Sequence, residues 1–276
     1  MKLGLSNLAF EQEPTVSELE ALAAIGFTGI EVAPTRIAPW SELTDQRLAD
    51  YAGNLARFGL SASSLQAIFF GAEGVELLSE PSAFERMRMH IHLVGRVGQA
   101  LGARTAVFGA PRQRRRGALS VAEAFDLGRE RLGALAQVAA QYGLVLGLEP
   151  VPQSYGCDFL DRWTEMREMV DAVSHPGLGI HLDTSCVELS GDSIIEAIHG
   201  CAGKIVHFHA AEPDLRGFDM PVADHPGAAA TLRAQGYDGW VVVEMLAAKA
   251  GGPDAFATAA RYVNRVYGDT ALSGQS

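Results

Sequence analysis

The chain has 276 residues, 48% of them apolar, and a formal net charge of −11. That length and apolar share suit one large packed domain and exclude a disordered chain. The acidic balance excludes a general polyanion binder, because phosphate backbones require clustered Lys and Arg.

Taken in chain order, short apolar runs alternate with amphipathic stretches throughout. The runs predict strands at 3–8, 29–32, 61–69, 105–108, 144–149, 179–183, 205–209 and 240–245. The stretches between them predict helices at 16–25, 45–58, 83–101, 121–142, 162–173, 193–201, 226–235 and 254–267. Several helical stretches end in Gly, as in AIGF, RFGL and ALGA, where a left-handed residue stops the helix before the next strand. Eight strand–helix units with continuously apolar strands predict parallel strands covered from outside, hence a single (β/α)8 barrel over residues 1–267. An open doubly wound sheet is the competing arrangement, but its glycine-rich phosphate fingerprint is missing after the first strand, where the chain reads SNLAFEQE. The tail 268–276, GDTALSGQS, is expected to fray.

Nothing from Met1 onward reads as a signal peptide, since Asn7, Glu11 and Glu13 interrupt any apolar core, and no run approaches the ~20 apolar residues of a membrane helix. Cys157, Cys186 and Cys201 are odd in number and form no CxxC pair, which suits a reducing compartment, so the cytoplasm is the expected location.

The last four strands each deliver one metal-grade side chain near their C-terminal ends: Glu149 in LVLGLEP, Asp183 in LGIHLDT, His209 in KIVHFHA and Glu244 in WVVVEML. In a parallel barrel those ends open into the mouth where chemistry takes place. Three carboxylates and an imidazole converging there repel one another unless a divalent cation lies between them. Three oxygens and one nitrogen favour Mn²⁺, Mg²⁺ or Co²⁺, with Zn²⁺ also compatible. Such an ion, with open positions, chelates a carbonyl and its neighbouring hydroxyl and stabilises the enediolate formed by proton loss. Glu149 and Glu244 are placed to use their other oxygens as acid and base.

Other side chains are candidates for touching a substrate. His181 and His207 share the faces of Asp183 and His209 and lie one layer deeper; His181 is the one read as a substrate contact. Gln66 sits near the mouth and Glu31, in GIEVAPTR, either grips a hydroxyl or pairs with Arg36. Arg112 and Arg114, in APRQRRRG, and Arg216, in HAAEPDLRG, lie in catalytic-side loops without an evident helical ion partner, and Arg216 is the stronger candidate to orient a charged ligand. Tyr155 and Cys186 line the same mouth; no base at a diagnostic spacing accompanies Cys186, so it is read as lining and not as a nucleophile.

From LGLSNLAF through GFTGIEVAP to VVVEM the chain resembles the xylose-isomerase-like TIM-barrel superfamily of sugar phosphate isomerases and epimerases. Ketose 3-epimerases of that superfamily carry a metal-binding Glu, Asp, His and Glu at the ends of strands five to eight. Those positions match Glu149, Asp183, His209 and Glu244. The resemblance implies that Glu149 and Glu244 flank the substrate carbon as the proton-transfer pair. The pattern departs at three places: Tyr155 stands where those epimerases have a second Glu, Cys186 where they have a His, and Arg216 falls seven residues after His209 instead of six. Endonuclease IV-like relatives need histidines at the ends of strands three and four, and SSLQAIFFG and TAVFGAP contain none.

The expectation is therefore a metal-dependent isomerase or epimerase of a carbohydrate-like or cyclitol-like small molecule, with no nucleic-acid or membrane partner and homo-oligomer formation left open. A lyase or dehydratase expelling a β-substituent from the same enolate is the alternative, followed by a non-catalytic sugar-binding subunit.

Overall fold

The computed structural model describes residues 1–268, so the predicted tail lies outside it apart from Gly268. Eight parallel strands close in sequence order into a barrel. They are β1 (Lys2–Ser6), β2 (Gly29–Val32), β3 (Ser61–Leu65), β4 (Thr105–Phe108), β5 (Val145–Leu148), β6 (Leu178–Asp183), β7 (Ile205–Ala211) and β8 (Trp240–Glu244). The ring is sealed by β1 pairing with β8, with Gly4 opposite Val242. Around it lie α1 (Val16–Ile25), α2 (Asp45–Ala56), α3 (Pro81–Leu101), α4 (Val121–Ala140), α5 (Trp163–Val173), α6 (Thr184–Leu189), α7 (Ile194–Gly200), α8 (His225–Ala234) and α9 (Ala255–Tyr267).

Local chemistry explains the joints. Thr15 with Glu18, and Ser120 with Glu123, form reciprocal capping boxes that open α1 and α4. Gly26 closes α1 in the left-handed region, with φ 101°. Leu5, Ile30, Leu65, Phe108, Leu146, Leu148, Ile180 and Phe208 are fully buried, so the strands read as unbroken apolar runs because both faces are covered. Among the described residues, no helix is long and apolar enough to cross a membrane.

Three expectations change. The third strand stops at Leu65 instead of continuing to Phe69, because Ala67 takes a left-handed φ of 49° and turns the chain out over the mouth. The first strand stops at Ser6, whose hydroxyl accepts the Leu8 N–H and starts a short 3-10 turn. A one-and-a-half-turn helix, α6, follows β6 directly where only a loop was expected.

Two slips in strand register lie beside the future site. Ser63 is an extra residue on β3 between Ala62, opposite Ile30, and Ser64, opposite Glu31. Val206 is likewise extra on β7, between Ile205, opposite Ile180, and His207, opposite His181. Such bulges re-aim side chains. The second is accommodated by Gly179, where a β-carbon would overlap the Val206 side chain.

Candidate active site

Glu149 is the first residue beyond β5. Its N–H donates to the Phe108 carbonyl at 3.2 Å, and its own carbonyl accepts from Arg114 Nη2 at 2.7 Å. Asp183 ends β6 and caps α6: Oδ1 accepts the Cys186 N–H at 2.7 Å, while the buried Oδ2 has no hydrogen-bond partner. The register sets Asp183 beside His209, and Ala211, two residues on, beside Glu244 at the end of β8.

These placements bring the side chains to one point. Glu149, His181, Asp183 and His209 each offer a donor atom within 4.8 Å of the others. Glu244 Oε2 lies 3.3 Å from His209 Nδ1, and Asp183 Oδ2 lies 3.6 Å from the same nitrogen. The opposite nitrogen of His209, Nε2, donates to Glu31 Oε2 at 2.8 Å. Burial opposes charge on the ring, yet Glu31, Glu244 and Asp183 hold it well above the usual imidazole range, so Nδ1 faces the carboxylates with a proton that a bound cation would displace. An unpartnered buried carboxylate oxygen and an outward-turned imidazole nitrogen, flanked by two further carboxylates, form a donor set that fits a divalent cation.

Electrostatics agree with that reading. Burial, together with Glu244 and Asp183, pushes the Glu149 carboxyl up to about 8. Burial also raises Glu244, offset in part by His209. Burial opposes ionisation of Glu31, yet His209 and His207 hold its carboxyl well below the usual range. His181 is driven well below the normal imidazole range by burial and by the two neighbouring histidines, so it is a neutral ring. Burial and the surrounding carboxylates raise the Cys186 thiol well above its ordinary value, so no reactive thiolate forms there.

A cleft opens above the cluster and divides into two arms. The wide arm, about 600 Å³, lies between the β3–α3 and β4–α4 loops and is lined by Gln66, Ile68, Phe69, Phe70 and Arg112, among others. The narrow arm, about 320 Å³, is lined by Val151, Tyr155, Cys186, Asp214, Leu215 and Lys249. Gly109, Ala110, Pro111, Glu149 and Glu244 border both arms, so the two candidate acid–base groups stand at their junction.

The cleft receives four of the expected substrate residues: Gln66 and Arg112 in the wide arm, Tyr155 and Cys186 in the narrow one. Gln66, with its amide oriented to satisfy its neighbours, donates to Glu244 Oε1 at 2.9 Å and to Glu31 Oε2 at 3.3 Å. Four residues weighed as substrate contacts lie elsewhere. Glu31 is fully buried and pairs neither with substrate space nor with Arg36, which donates to the Phe10 carbonyl. It accepts from His207 Nε2 at 2.8 Å and from Ser64 Oγ at 2.7 Å as well as from His209. His181 is also fully buried, beneath Glu149, with Nε2 3.8 Å from Oε1. Arg216 turns away to Glu212, four residues earlier, at 3.4 Å, and lines neither arm. Arg114 is buried against the Glu149 backbone and is not a loop cation open to ligand.

Lys249 was not anticipated. It is one of three lysines in the chain and stands in a loop just beyond β8, which was the available signal. Asp214 was missed for a different reason: its side chain reaches the cleft because the backbone at 214 and 215 is left-handed, with φ 61° and 57°, and its N–H is held by Tyr155 Oη at 3.0 Å.

Residues 19–266 match the family description Xylose isomerase-like TIM barrel. Among solved structures, D-psicose 3-epimerase with D-tagatose from Clostridium cellulolyticum H10 superposes with a TM-score of 0.81 at 17% identity, covering 97% of this chain and 99% of that one. The apo 3-keto-D-glucoside 4-epimerase YcjR from E. coli gives 0.78 at 19% identity, covering 96% and 99%. The probable 3-DHS dehydratase AsbF from Bacillus anthracis gives 0.73 at 16%, covering 96% and 99%. At those identities the likeness speaks for the fold alone. The family match spans nearly the whole barrel, and this chain belongs to the xylose isomerase-like TIM-barrel family.

Proposed function

We propose that the protein is a divalent-cation-dependent isomerase or epimerase of a sugar, sugar derivative or cyclitol-like polyol. The observation that carries this reading is the position of Glu149 and Glu244, which border both arms of the cleft directly above the donor cluster. Glu149, Asp183, His209 and Glu244 would hold the ion, with Glu31 fixing the His209 ring from behind and neutral His181 packed below. When bound, such an ion polarises a carbonyl and its neighbouring hydroxyl and so acidifies the adjacent C–H.

The residues of the chain supply the proton transfers. A substrate carbon at the junction lies between the two carboxylates. One takes the proton, the C–H electron pair becomes the new C–C π bond, and the former carbonyl π pair moves to oxygen. The other carboxylate returns a proton to the opposite face, giving an epimer, or the first returns it to the neighbouring carbon while the hydroxyl proton passes to the former carbonyl oxygen, giving an isomer. Val151 and Leu215 wall the narrow arm and would limit water access from that side to the enediolate. Tyr155, Asp214 and Lys249 are placed to hold hydroxyl groups.

Mn²⁺, Mg²⁺ or Co²⁺ suits the oxygen-rich set. Three buried, unpaired cysteines accord with a cytoplasmic setting. The structural neighbours named as epimerases support sugar chemistry, while Tyr155 and Cys186 in the cleft support a substrate other than a free ketose.

The test is solvent-deuterium incorporation into a panel of keto-sugars, oxo-sugars and cyclitol ketones by Mn²⁺-loaded protein. Exchange at the carbon next to the carbonyl, with product equal in mass apart from deuterium, is expected. A product that has lost water or a leaving group would assign the same enolate to a lyase. Exchange with no member of the panel would remove the proton-transfer reading.

A further inference from the structure

The two arms of the cleft differ in chemistry as well as in size. The narrow arm presents a phenol at Tyr155, a carboxylate at Asp214 and an ammonium at Lys249. The wide arm, nearly twice as large, presents Gln66, Arg112 and Gln113 together with an apolar wall of its own, made by Leu8, Ile68, Phe69 and Phe70. Phe70 stands 72% exposed on its rim. The loop that carries it is fixed, since Trp40 Nε1 donates to the Phe70 carbonyl at 2.7 Å and Ile68 O is tied to His90 Nε2 at 2.7 Å. Trp40 stacks edge-on against His90, with centroids 4.6 Å apart, which braces the same loop from outside.

A large aromatic ring held at the entrance of a ready-made apolar arm marks a surface that is covered when a ligand is present. A bare six-carbon ring held by the narrow arm leaves the wide arm filled with water against apolar walls. An apolar group that displaces such water gains affinity. The wide arm offers one cation, the exposed Arg112, which is a thin set of donors for a phosphate, since a phosphate site gathers several.

Resting on the enolate reading above, we propose that the substrate is a two-part molecule: an oxo-sugar or cyclitol ketone ring in the narrow arm, joined to an apolar, aromatic-sized substituent in the wide arm. The linkage crosses the junction between Glu149 and Glu244, so the reacting carbon lies close to the substituted position. Phe70 and Ile68 then determine specificity and take no part in proton transfer.

The experiment compares Mn²⁺-loaded protein on four probes: a 3-oxo-hexose, its methyl glycoside, its phenyl glycoside and its 6-phosphate, with deuterium exchange followed under steady-state conditions. The phenyl glycoside is expected to exceed the methyl glycoside in kcat/KM by about 10-fold or more, carried by KM, the scale of apolar pocket discrimination. Phe70→Ser, at an exposed position that the fold does not depend on, is expected to bring that ratio down toward one. Equal values for phenyl and methyl glycosides, or a ratio unmoved by Phe70→Ser, would overturn this proposal and leave the proton-transfer reading standing. A preference for the 6-phosphate would overturn it too and give the wide arm to an anion through Arg112. Exchange with none of the four would overturn both readings together.

Discussion

Replacing Glu31 by Gln tests how the donor cluster is built. The carboxylate is fully buried and accepts from His209 Nε2, His207 Nε2 and Ser64 Oγ at 2.7–2.8 Å. Glutamine keeps the shape but offers one acceptor oxygen and one NH2 group, so an NH2 must face one of the two imidazole N–H groups. At least one charge-assisted bond is lost, at a cost of about 1.5–3 kcal/mol in stability. If His209 is the imidazole released, its ring is no longer held with Nδ1 toward Asp183 and Glu244. Loss of such an orienting partner typically weakens ion binding by about 10–100-fold, equivalent to about 1.4–2.8 kcal/mol. Titration calorimetry with Mn²⁺ on chelator-treated protein measures the affinity, and thermal melts with and without Mn²⁺ measure the stability. The expected result is a folded variant that binds Mn²⁺ at least tenfold more weakly. Wild-type Mn²⁺ affinity in Glu31→Gln would refute the argument that Glu31 sets the His209 ring.

Other substitutions separate roles that coincide in one residue. Asp183→Asn retains a side chain able to cap α6, so the ion-free protein should melt within about 0.5 kcal/mol of wild type, whereas the Mn²⁺-induced rise in Tm should shrink; an undiminished rise counts against Asp183 as a ligand. Glu149→Gln and Glu244→Gln should each slow exchange on the best substrate by about 100-fold or more, and near-normal turnover in either would eliminate the two-carboxylate scheme. A β-carbon at Gly109 would overlap Glu149 Oε2, so Gly109→Ala should leave the circular dichroism unchanged while cutting turnover by up to ~100-fold through misplacement of that carboxylate. Tyr267→Phe removes the hydroxyl that meets His225 Nδ1 at 3.0 Å and should cost about 0.5–1.5 kcal/mol in a urea titration; a shift above 3 kcal/mol would mean the ring packing was disturbed as well.

The parts of the fold legible in the sequence were those with local causes. Continuous apolar runs announced eight buried strands, and glycines such as Gly26 announced where helices end. Glu149, Asp183, His209 and Glu244 could be read because each sits at or near a strand end, where direction alone carries it to the mouth. Partnerships across the barrel could not be read. Glu31 finds His207 and His209 only after a slip in register beside Ser63, and no spacing within GIEVAPTR encodes that. Arg216 looked free because its partner Glu212 is four residues away across a short 3-10 turn kinked at Asp214, which no helical pattern in the sequence announces. The overlong third strand and the missed α6 have related causes: a left-handed Ala67 defies propensity, and Asp183 serves as strand end, helix cap and cluster member at once.

The hydrogen bonds that Glu31 accepts from His207 and His209 join residues 176 and 178 positions apart. All four candidate ion ligands come from β5–β8, so the C-terminal half of the chain carries every donor atom but not the group that aims the imidazole. Those bonds form only once β1 has met β8, the strand contact that demands the largest loop closure and comes late in assembly. Tight ion capture is thereby deferred to the end of folding. A half-formed chain holds its carboxylates apart and its imidazole loose, and it gains a strong grip on a cation only when the ring has shut.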